Sequence, residues 1–213
     1  MNLGPLALLF APLWLVWGSP VTVGELLACA LSLGMVACNM VVNPLAWPLA
    51  IASSALYGLL FIDSRLYGEA SLQLFFIAVS VWGWRQWRRG RGLVGRPALR
   101  VHALGSRGRL WVLACTLAAW PLLGLLLARV TDSDVPYLDA LPTVGSIAGT
   151  LLLGRKLIEN WPVWIAVNLF SVGLFAVKGL WLTVALYAVF AVLALIGWRA
   201  WRAIMAAQVS ATS

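Results

Sequence analysis

The segment WPVWIAVN, residues 161–168, begins an apolar stretch that reaches Val177 without a charged side chain. At about 100° per residue along an α-helix, Trp161, Trp164 and Asn168 fall within about 60° of one another. Two indoles and one carboxamide therefore share a single helix face. Inside a membrane, such a face is either a packing seam against another helix or one wall of a site for a flat, polar ligand.

The composition of the whole chain is that of an integral membrane protein. Of its 213 residues, 62% are hydrophobic and 10% are charged, and the mean hydropathy is +0.93. The apolar runs approach the roughly 20 residues that a spanning helix needs, which predicts an all-α architecture. Little chain is left for an aqueous domain, so we do not expect an enzyme with a catalytic site in water.

Eight apolar runs are predicted to span the membrane as helices. They lie at about 3–17, 21–40, 43–62, 69–87, 110–128, 138–154, 160–177 and 180–201. The first run is short, but it lacks the charged start and the cleavage pattern of a signal peptide. We therefore interpret it as an extra N-terminal helix.

A cluster of basic residues orients these helices. Eight arginines and no acid lie between Arg85 and Arg109, which places this segment in the cytoplasm by the positive-inside rule. Both termini then fall on the same side. The glycines of the segment make it a poor helix former, so we expect a mobile tether. Its arginines could instead attract anionic lipid headgroups, whereas binding of nucleic acid is not expected.

The chain contains an internal repeat at an offset of 114 residues. Trp47-Pro48 matches Trp161-Pro162, and GWRQWR at 83–88 matches GWRAWR at 197–202. Two tryptophan motifs in register are not expected by chance in apolar sequence. Each repeat holds three predicted helices and a single span joins them, so the two copies run in the same direction. Parallel repeats of this kind are typical of transporters with a site near the membrane midplane.

The repeat divides the chain into five parts and predicts a three-plus-one-plus-three order of helices. The parts are an N-terminal extra span at 1–20, repeat one at 21–88, a basic cytoplasmic loop and linker span at 89–134, repeat two at 135–202 and a C-terminal tail at 203–213.

Polar side chains inside the predicted spans are candidates for ligand contact, because each costs energy unless it is paired or faces water. Gln73 lies well inside its span and corresponds to Tyr187 in the other repeat. Together with Asn168, these side chains could bind the amide or hydroxyls of a ligand, while the indoles cover a flat ring. A heteroaromatic cation suits such a site, because indole faces attract positive charge. A small neutral sugar would use the same groups.

Structural roles are an alternative for several polar and aromatic residues. Tryptophans at helix ends are typical of the interfacial belt, and belt and site are both open for Trp47 and Trp161. Hydroxyls such as those of Ser32, Thr143 and Thr150 could bond one helix to the next.

We expect no catalytic residues, no metal and no cofactor. His102 is the single histidine and lies in the basic loop without a second ligand, while Cys29, Cys38 and Cys115 lie in apolar runs as small packing residues. No nucleophile–base pair is evident. Because no mid-span Asp, Glu or His could carry a proton, facilitated diffusion is the simplest mode of transport.

Several motifs resemble those of a known family. They are Asn43-x3-Trp47-Pro48, Leu66-Tyr67 followed by Leu72-Gln73, Gly83-Trp84-x2-Trp87, Trp161-x2-Trp164-x3-Asn168 and Thr183-x3-Tyr187. Across residues 21–202, the chain resembles the Pnu-type vitamin transporters, best known for nicotinamide riboside (the PnuC family).

The resemblance implies a 3+1+3 fold akin to the SWEET sugar transporters, a central site and frequent assembly as homotrimers. It implies uncoupled uptake of nicotinamide riboside across the cell inner membrane, with trapping by cytoplasmic phosphorylation. The implied substrate-binding residues are Trp161, Trp164 and Asn168, with Gln73, Tyr187 and Asn43 nearby and Trp47 as the counterpart of Trp161.

Other cargoes and another class of function remain alternatives. Related members carry thiamine, riboflavin or deoxynucleosides, and the shared framework does not separate them. A non-transporting membrane scaffold, whose polar stripes serve only packing, is the competing hypothesis.

Overall fold

The computed structural model describes residues 9, 11–16, 19–63, 67–89, 100–131, 135–177 and 181–210. Seven helices occupy most of these residues, and each run predicted to be helical from residue 21 onward is helical. They are α1 (Val23–Met40), α2 (Ala46–Asp63), α3 (Tyr67–Arg89), α4 (Ser106–Val130), α5 (Pro136–Gly154), α6 (Asn160–Val177) and α7 (Trp181–Ser210).

Five helices in the described part of the chain are long and apolar enough to cross a membrane. They are α1, α2, α4, α6 and, within α7, the segment Thr183–Ser210. The helices α3 and α5 were also predicted to span but fall outside this group. Arg85, Arg88 and Arg89 at the end of α3 contribute to its lower hydropathy. The chain is an all-α, multi-pass membrane protein.

The prediction of a helix at 3–17 is wrong for residues 12–16, which form a strand. Strand β1 (Pro12–Val16) pairs antiparallel with strand β2 (Ser19–Thr22). The run is shorter than a bilayer-spanning helix requires, and Pro12 lacks the amide hydrogen that a helix interior uses. Residues 1–8, 10, 17 and 18 lie outside the described residues.

Strand β2 leads directly into α1, which begins with a capping box. The Thr22 hydroxyl accepts a hydrogen bond from the Glu25 amide at 3.2 Å, and the Glu25 carboxylate accepts one from the Thr22 amide at 2.8 Å. Two otherwise unpaired amides at the start of the helix are satisfied in this way. Glu25 therefore has a local structural role at the first turn.

The chain divides into two compact units, Met1–Arg85 and Gln86–Ser213. In the first unit, α1 packs along α2. The buried Ser53 hydroxyl donates to the Ala28 carbonyl at 3.1 Å and lies 2.7 Å from the Ser32 hydroxyl. Ser32 thus links two helices, which is one of the roles predicted for it.

In the second unit, α5 contacts both α4 and α6, and α6 packs along α7. The side chain of Val167 occupies the space that a Cβ at Gly145 would take, so α5 and α6 approach closely there. Thr143 and Thr150 donate to carbonyls one turn earlier on α5, at 3.0 and 2.7 Å. Their predicted role as bonds between helices is therefore wrong.

The end of α1 is a Schellman motif. Val42 adopts a φ of 55° and donates to the Asn39 carbonyl at 3.1 Å. The next amide, of Asn43, donates to the Cys38 carbonyl at 2.8 Å. Glycine usually fills the left-handed position of this motif, so a β-branched valine there carries backbone strain.

The end of α5 repeats the motif 114 residues later. Lys156 also has a φ of 55° and donates to the Leu153 carbonyl at 2.9 Å, and Leu157 donates to the Leu152 carbonyl at 3.0 Å. The following helices agree as well, because both ends of α6 lie 114 residues after those of α2. The two turns and the helices that follow them thus recur in the backbone at the offset found in the sequence.

Part of the basic loop is docked on the turn between α5 and α6. His102 donates from its amide to the Lys156 carbonyl at 3.2 Å and accepts from the Ile158 amide at 2.9 Å, which makes a parallel bridge. The neighbouring Val101 is buried. The prediction of a mobile tether is therefore wrong for residues 100–105. Residues 90–99 lie outside the described residues.

Candidate functional site

The candidate site is built on the first half of α6. The helix begins at Asn160, whose side-chain amide donates to the Leu157 carbonyl at 2.6 Å. Pro162 lies in the first turn, where its missing amide hydrogen leaves no helical bond unmade. This start sets the phase of the face that carries Trp161, Trp164 and Asn168.

Trp161 lies at the contact between α6 and α7. Its six-membered ring occupies the space that a Cβ at Gly197 would fill, and its centroid lies 5.6 Å from that of Trp201, at an angle of 84°. The side chain is buried, and its Nε1 has no hydrogen-bond partner among the described residues. Packing therefore accounts for the position of Trp161, and its predicted contact with substrate stays a prediction.

Trp164, one turn further along, packs against a different helix. Its ring lies next to Gly149 of α5, so closely that a Cβ at Gly149 would be 3.0 Å from its Cε2 and Nε1 atoms. The side chain is only half-buried. Trp164 thus has one flank against α5 and retains exposed indole surface.

Asn168 and Ser171 continue the same face as buried polar groups, with 5% and 1% of each residue exposed. Within the part of the chain that the structure describes, neither side chain has a hydrogen-bond partner. Both groups are therefore available to the polar groups of a ligand.

Tyr187 on α7 belongs to an aromatic cluster in the same unit. Its ring stacks on Phe175 of α6, with centroids 5.2 Å apart and an interplanar angle of 26°. It also meets Phe190 edge-on at 6.3 Å. The cluster fixes the phenol ring of Tyr187 between the distal half of α6 and the start of α7.

Three of the predicted site residues belong to the first unit. Asn43 lies in the turn after α1, where its side-chain oxygen accepts from the Leu45 amide at 3.0 Å. Trp47 is buried, and its ring occupies the space beside Gly83, as that of Trp161 does beside Gly197. Gln73 is half-buried on α3. The other four predicted residues belong to the second unit.

Glu159 is a residue that sequence reasoning missed. One carboxylate oxygen accepts from the Leu104 amide at 3.0 Å and from Arg109 Nε at 2.9 Å. This joins the docked loop to the residue just before α6. The available signal was the position of an acid immediately ahead of the Asn160-Trp161 start, with arginines as its candidate partners.

The comparison with protein families assigns the chain. Residues 22–203 match the family model described as "Nicotinamide mononucleotide transporter". The chain belongs to this family. The resemblance recognised from the tryptophan motifs is thereby confirmed, and the match begins at the capping residue of α1 and ends within α7.

Curated relatives of this transporter family agree. The chain is 27% identical over 150 residues to the nicotinamide riboside transporter PnuC of Escherichia coli (strain K12), covering 59% of this chain and 62% of that protein. It is 29% identical over 136 residues to the riboflavin/roseoflavin transporter RibM of Streptomyces davaonensis, covering 62% of each. The chain thus spans less than two thirds of the length of these relatives, and both relatives are transporters rather than enzymes.

A solved structure supports the fold of the family. The chain matches the crystal structure of the vitamin B3 transporter PnuC with a TM-score of 0.68 and 23% identity, over 84% of this chain and 80% of the other. At that identity the likeness establishes the fold, and the choice of cargo has to be argued from the site.

Proposed function

We propose that this protein is a membrane transporter that carries nicotinamide riboside. The observation that carries the proposal is the buried carboxamide of Asn168, without a described partner, on the face that also presents the half-buried indole of Trp164. Membership of a transporter family and the likeness to a nicotinamide riboside transporter support this assignment.

The chemistry of nicotinamide riboside matches this face of α6. Its pyridinium ring is flat and positively charged, so it is attracted to the negative face of an indole such as that of Trp164. Its carboxamide can exchange two hydrogen bonds with the amide of Asn168, and the ribose hydroxyls can pair with Ser171. Each of these bonds would go to a side chain that has no hydrogen-bond partner among the described residues.

The proposed transporter has a 3+1+3 arrangement of its helices and a central site. The recurrence of helix ends, of turns and of the contact between tryptophan and glycine at an offset of 114 residues supports it. We also propose Gln73, Tyr187, Asn43 and Trp47 as substrate-binding residues, as the resemblance to the family implies. The five sequence divisions, at 1–20, 21–88, 89–134, 135–202 and 203–213, describe the same arrangement.

The proposed mode is uncoupled, facilitated uptake across the cell inner membrane, followed by trapping through cytoplasmic phosphorylation. The absence from the sequence of a mid-span Asp, Glu or His supports the lack of proton coupling. The arginines between Arg85 and Arg109 support a cytoplasmic position for the basic loop and the C-terminus. Assembly as a homotrimer is part of the proposal.

Riboflavin is the second candidate cargo. The likeness to the riboflavin/roseoflavin transporter of Streptomyces davaonensis favours it. Its ring system is also flat and could stack on Trp164, but it is neutral and lacks the attraction between a cation and an indole. Thiamine and deoxynucleosides are further alternatives within the same mode of transport.

Uptake into liposomes tests the proposal. Purified protein is reconstituted, and uptake of labelled nicotinamide riboside, riboflavin and thiamine is compared with uptake into empty liposomes. We expect saturable uptake of nicotinamide riboside that stops when inside and outside concentrations are equal, without an imposed ion gradient. Uptake of riboflavin alone would assign the second candidate. Liposomes that take up none of the compounds would favour the scaffold hypothesis.

A further inference from the structure

Gly149 is the point at which α5 and the indole of Trp164 meet. A Cβ built at Gly149 would lie 3.0 Å from Trp164 Cε2, 3.0 Å from Nε1 and 3.4 Å from Cδ2. Distances near 3.0 Å are shorter than ordinary van der Waals contacts of a methyl group, so the ring would have to move by a few tenths of an ångström. The indole thus lies closer to α5 than an unshifted ring could lie beside a side chain at residue 149.

The equivalent positions of the first repeat show the opposite distribution of volume. Gly149 corresponds to Met35 on α1, and Trp164 corresponds to Ala50 on α2. The large side chain is thus on the second helix in one repeat and on the first helix in the other. The missing side chain at Gly149 is therefore matched to the presence of Trp164 and is not a general feature of the repeat.

The glycine is also unfavourable for the helix that contains it. Gly149 lies inside α5, where glycine costs about 0.5–1 kcal/mol relative to alanine. It is buried within the helix, and its φ lies outside the left-handed region that favours glycine. The close approach of Trp164 is the local feature that glycine permits and alanine would disturb.

We propose that Gly149 is a positioning residue for the transport site, since it sets how deeply the indole of Trp164 lies against α5. This inference rests on the proposed function, in which Trp164 stacks on the ring of the cargo. A side chain at residue 149 shifts the indole away from α5, so the stacking geometry and the space beside it change together. Gly149 does not itself contact the cargo.

The test compares Gly149→Ala with Gly173→Ala in the full-length protein. A Cβ at Gly173, on α6, would meet no neighbouring group within 4 Å among the residues that the structure describes, so this control changes helix propensity without a described steric contact. We expect Gly149→Ala to weaken binding of nicotinamide riboside about fivefold or more, and Gly173→Ala to leave binding unchanged. Thermal unfolding without ligand checks that both variants fold.

Fluorine NMR of protein labelled with 5-fluorotryptophan provides a readout that needs no ligand. The Trp164 resonance is assigned as the one lost in Trp164→Phe. Gly149→Ala should shift this resonance, whereas Gly173→Ala should leave it in place. In the Trp164→Phe background, whose smaller ring relieves the contact, Gly149→Ala should have little further effect on binding.

The outcomes separate this inference from the proposed function. If the parent protein binds none of the candidate cargoes, the proposed function fails, whatever the fluorine spectrum shows. If the parent binds but Gly149→Ala leaves either its affinity or the Trp164 resonance unchanged, the role of Gly149 is overturned. An equal loss of affinity in the parent and Trp164→Phe backgrounds would indicate a general effect on α5 and would also overturn it.

Discussion

The indole of Trp161 lies against the backbone of Gly197, in space that any Cβ at that position would occupy. The first unit has the same relationship between Trp47 and Gly83, 114 residues earlier. In each unit, the start of the second helix of the repeat is thereby packed on the third helix. Both tryptophans serve the structure, whatever their contact with substrate.

Gly197→Ala is expected to destabilise the second unit by about 1–3 kcal/mol, because the added methyl group overlaps the Trp161 ring in a closely packed contact. Gly173→Ala adds the same methyl group on α6 at a position with no described neighbour within 4 Å, and it should be neutral or slightly stabilising. Thermal unfolding of the purified protein in detergent measures both. Equal stability of the two variants would contradict the tight contact at Gly197.

Asn168→Leu should abolish binding of nicotinamide riboside without loss of stability. The substitution removes a buried carboxamide that has no described protein partner, so no hydrogen bond within the protein is lost. Ser53→Ala is the matched control, because its hydroxyl bonds to Ala28 and Ser32, and its loss should cost about 1 kcal/mol. Titration calorimetry and thermal unfolding separate the two effects. Unchanged affinity in Asn168→Leu would exclude Asn168 from the site.

Trp164→Ala and Trp87→Ala should differ in kind. Trp164 is half-buried, and its replacement should weaken binding at least tenfold while the protein still folds. Trp87 is 1% exposed, donates to the Leu153 carbonyl at 3.1 Å and lies under the Lys156 ammonium, so its replacement should cost about 3–5 kcal/mol of stability. Ligand titration and thermal unfolding distinguish the variants. Equal affinity of Trp164→Ala and the parent would refute the assignment.

Glu159→Ala should release the docked part of the basic loop. The Leu104 amide loses its acceptor, which costs about 1–3 kcal/mol, and hydrogen exchange should rise across residues 101–104. Arg109→Ala removes only the ion pair, whose arginine side chain is 59% exposed, and should cost less than about 1 kcal/mol. Exchange measured by mass spectrometry compares the two. A larger rise in exchange in Arg109→Ala than in Glu159→Ala would show that the ion pair, rather than the Leu104 bond, holds the loop.

Val42→Gly should stabilise the protein by about 1 kcal/mol. Valine at a φ of 55° carries the steric cost of the left-handed region, which glycine avoids. Lys156→Gly is the informative comparison, because Lys156 has the same φ but its ammonium lies 5.1 Å from the centroid of the Trp87 ring. Thermal unfolding should show a smaller gain, or a loss, for Lys156→Gly. A loss of stability in Val42→Gly would contradict the strain.

The positions of the helices could be predicted because each is a continuous apolar run with polar ends. The run at 3–17 was wrongly predicted to be a helix, because hydropathy alone does not distinguish a short span from a pair of β-strands. Pro12 was the residue that argued against a helix. The pairing of His102 with the turn could not be predicted, because both of its bonds run between main-chain groups that any residue carries. The bond from the Leu104 amide to the Glu159 carboxylate had a signal in the sequence, the acid just before α6. The glycines of the basic loop favoured a prediction of mobility, but the main chain at His102 and Leu104 is hydrogen-bonded to the segment just before α6.

The helix face that carries the candidate site could be predicted from the sequence. Which neighbouring helix each of its tryptophans packs against could not. Periodicity placed Trp161, Trp164 and Asn168 on one stripe, yet Trp161 packs on α7 and Trp164 packs on α5. The repeated Trp-Pro and Gly-Trp motifs were both visible in the sequence, while the contact between them required the fold. Long-range contacts of this kind depend on how helices cross, which a single sequence does not specify.

Val42 and Lys156 share no side-chain chemistry, yet their turns agree bond for bond. A comparison of the two halves that scores residue identity counts this pair as a mismatch, although the main chain treats the positions as the same. At these two turns, internal symmetry is therefore carried by the carbonyl acceptors of the helix ends rather than by the side chains.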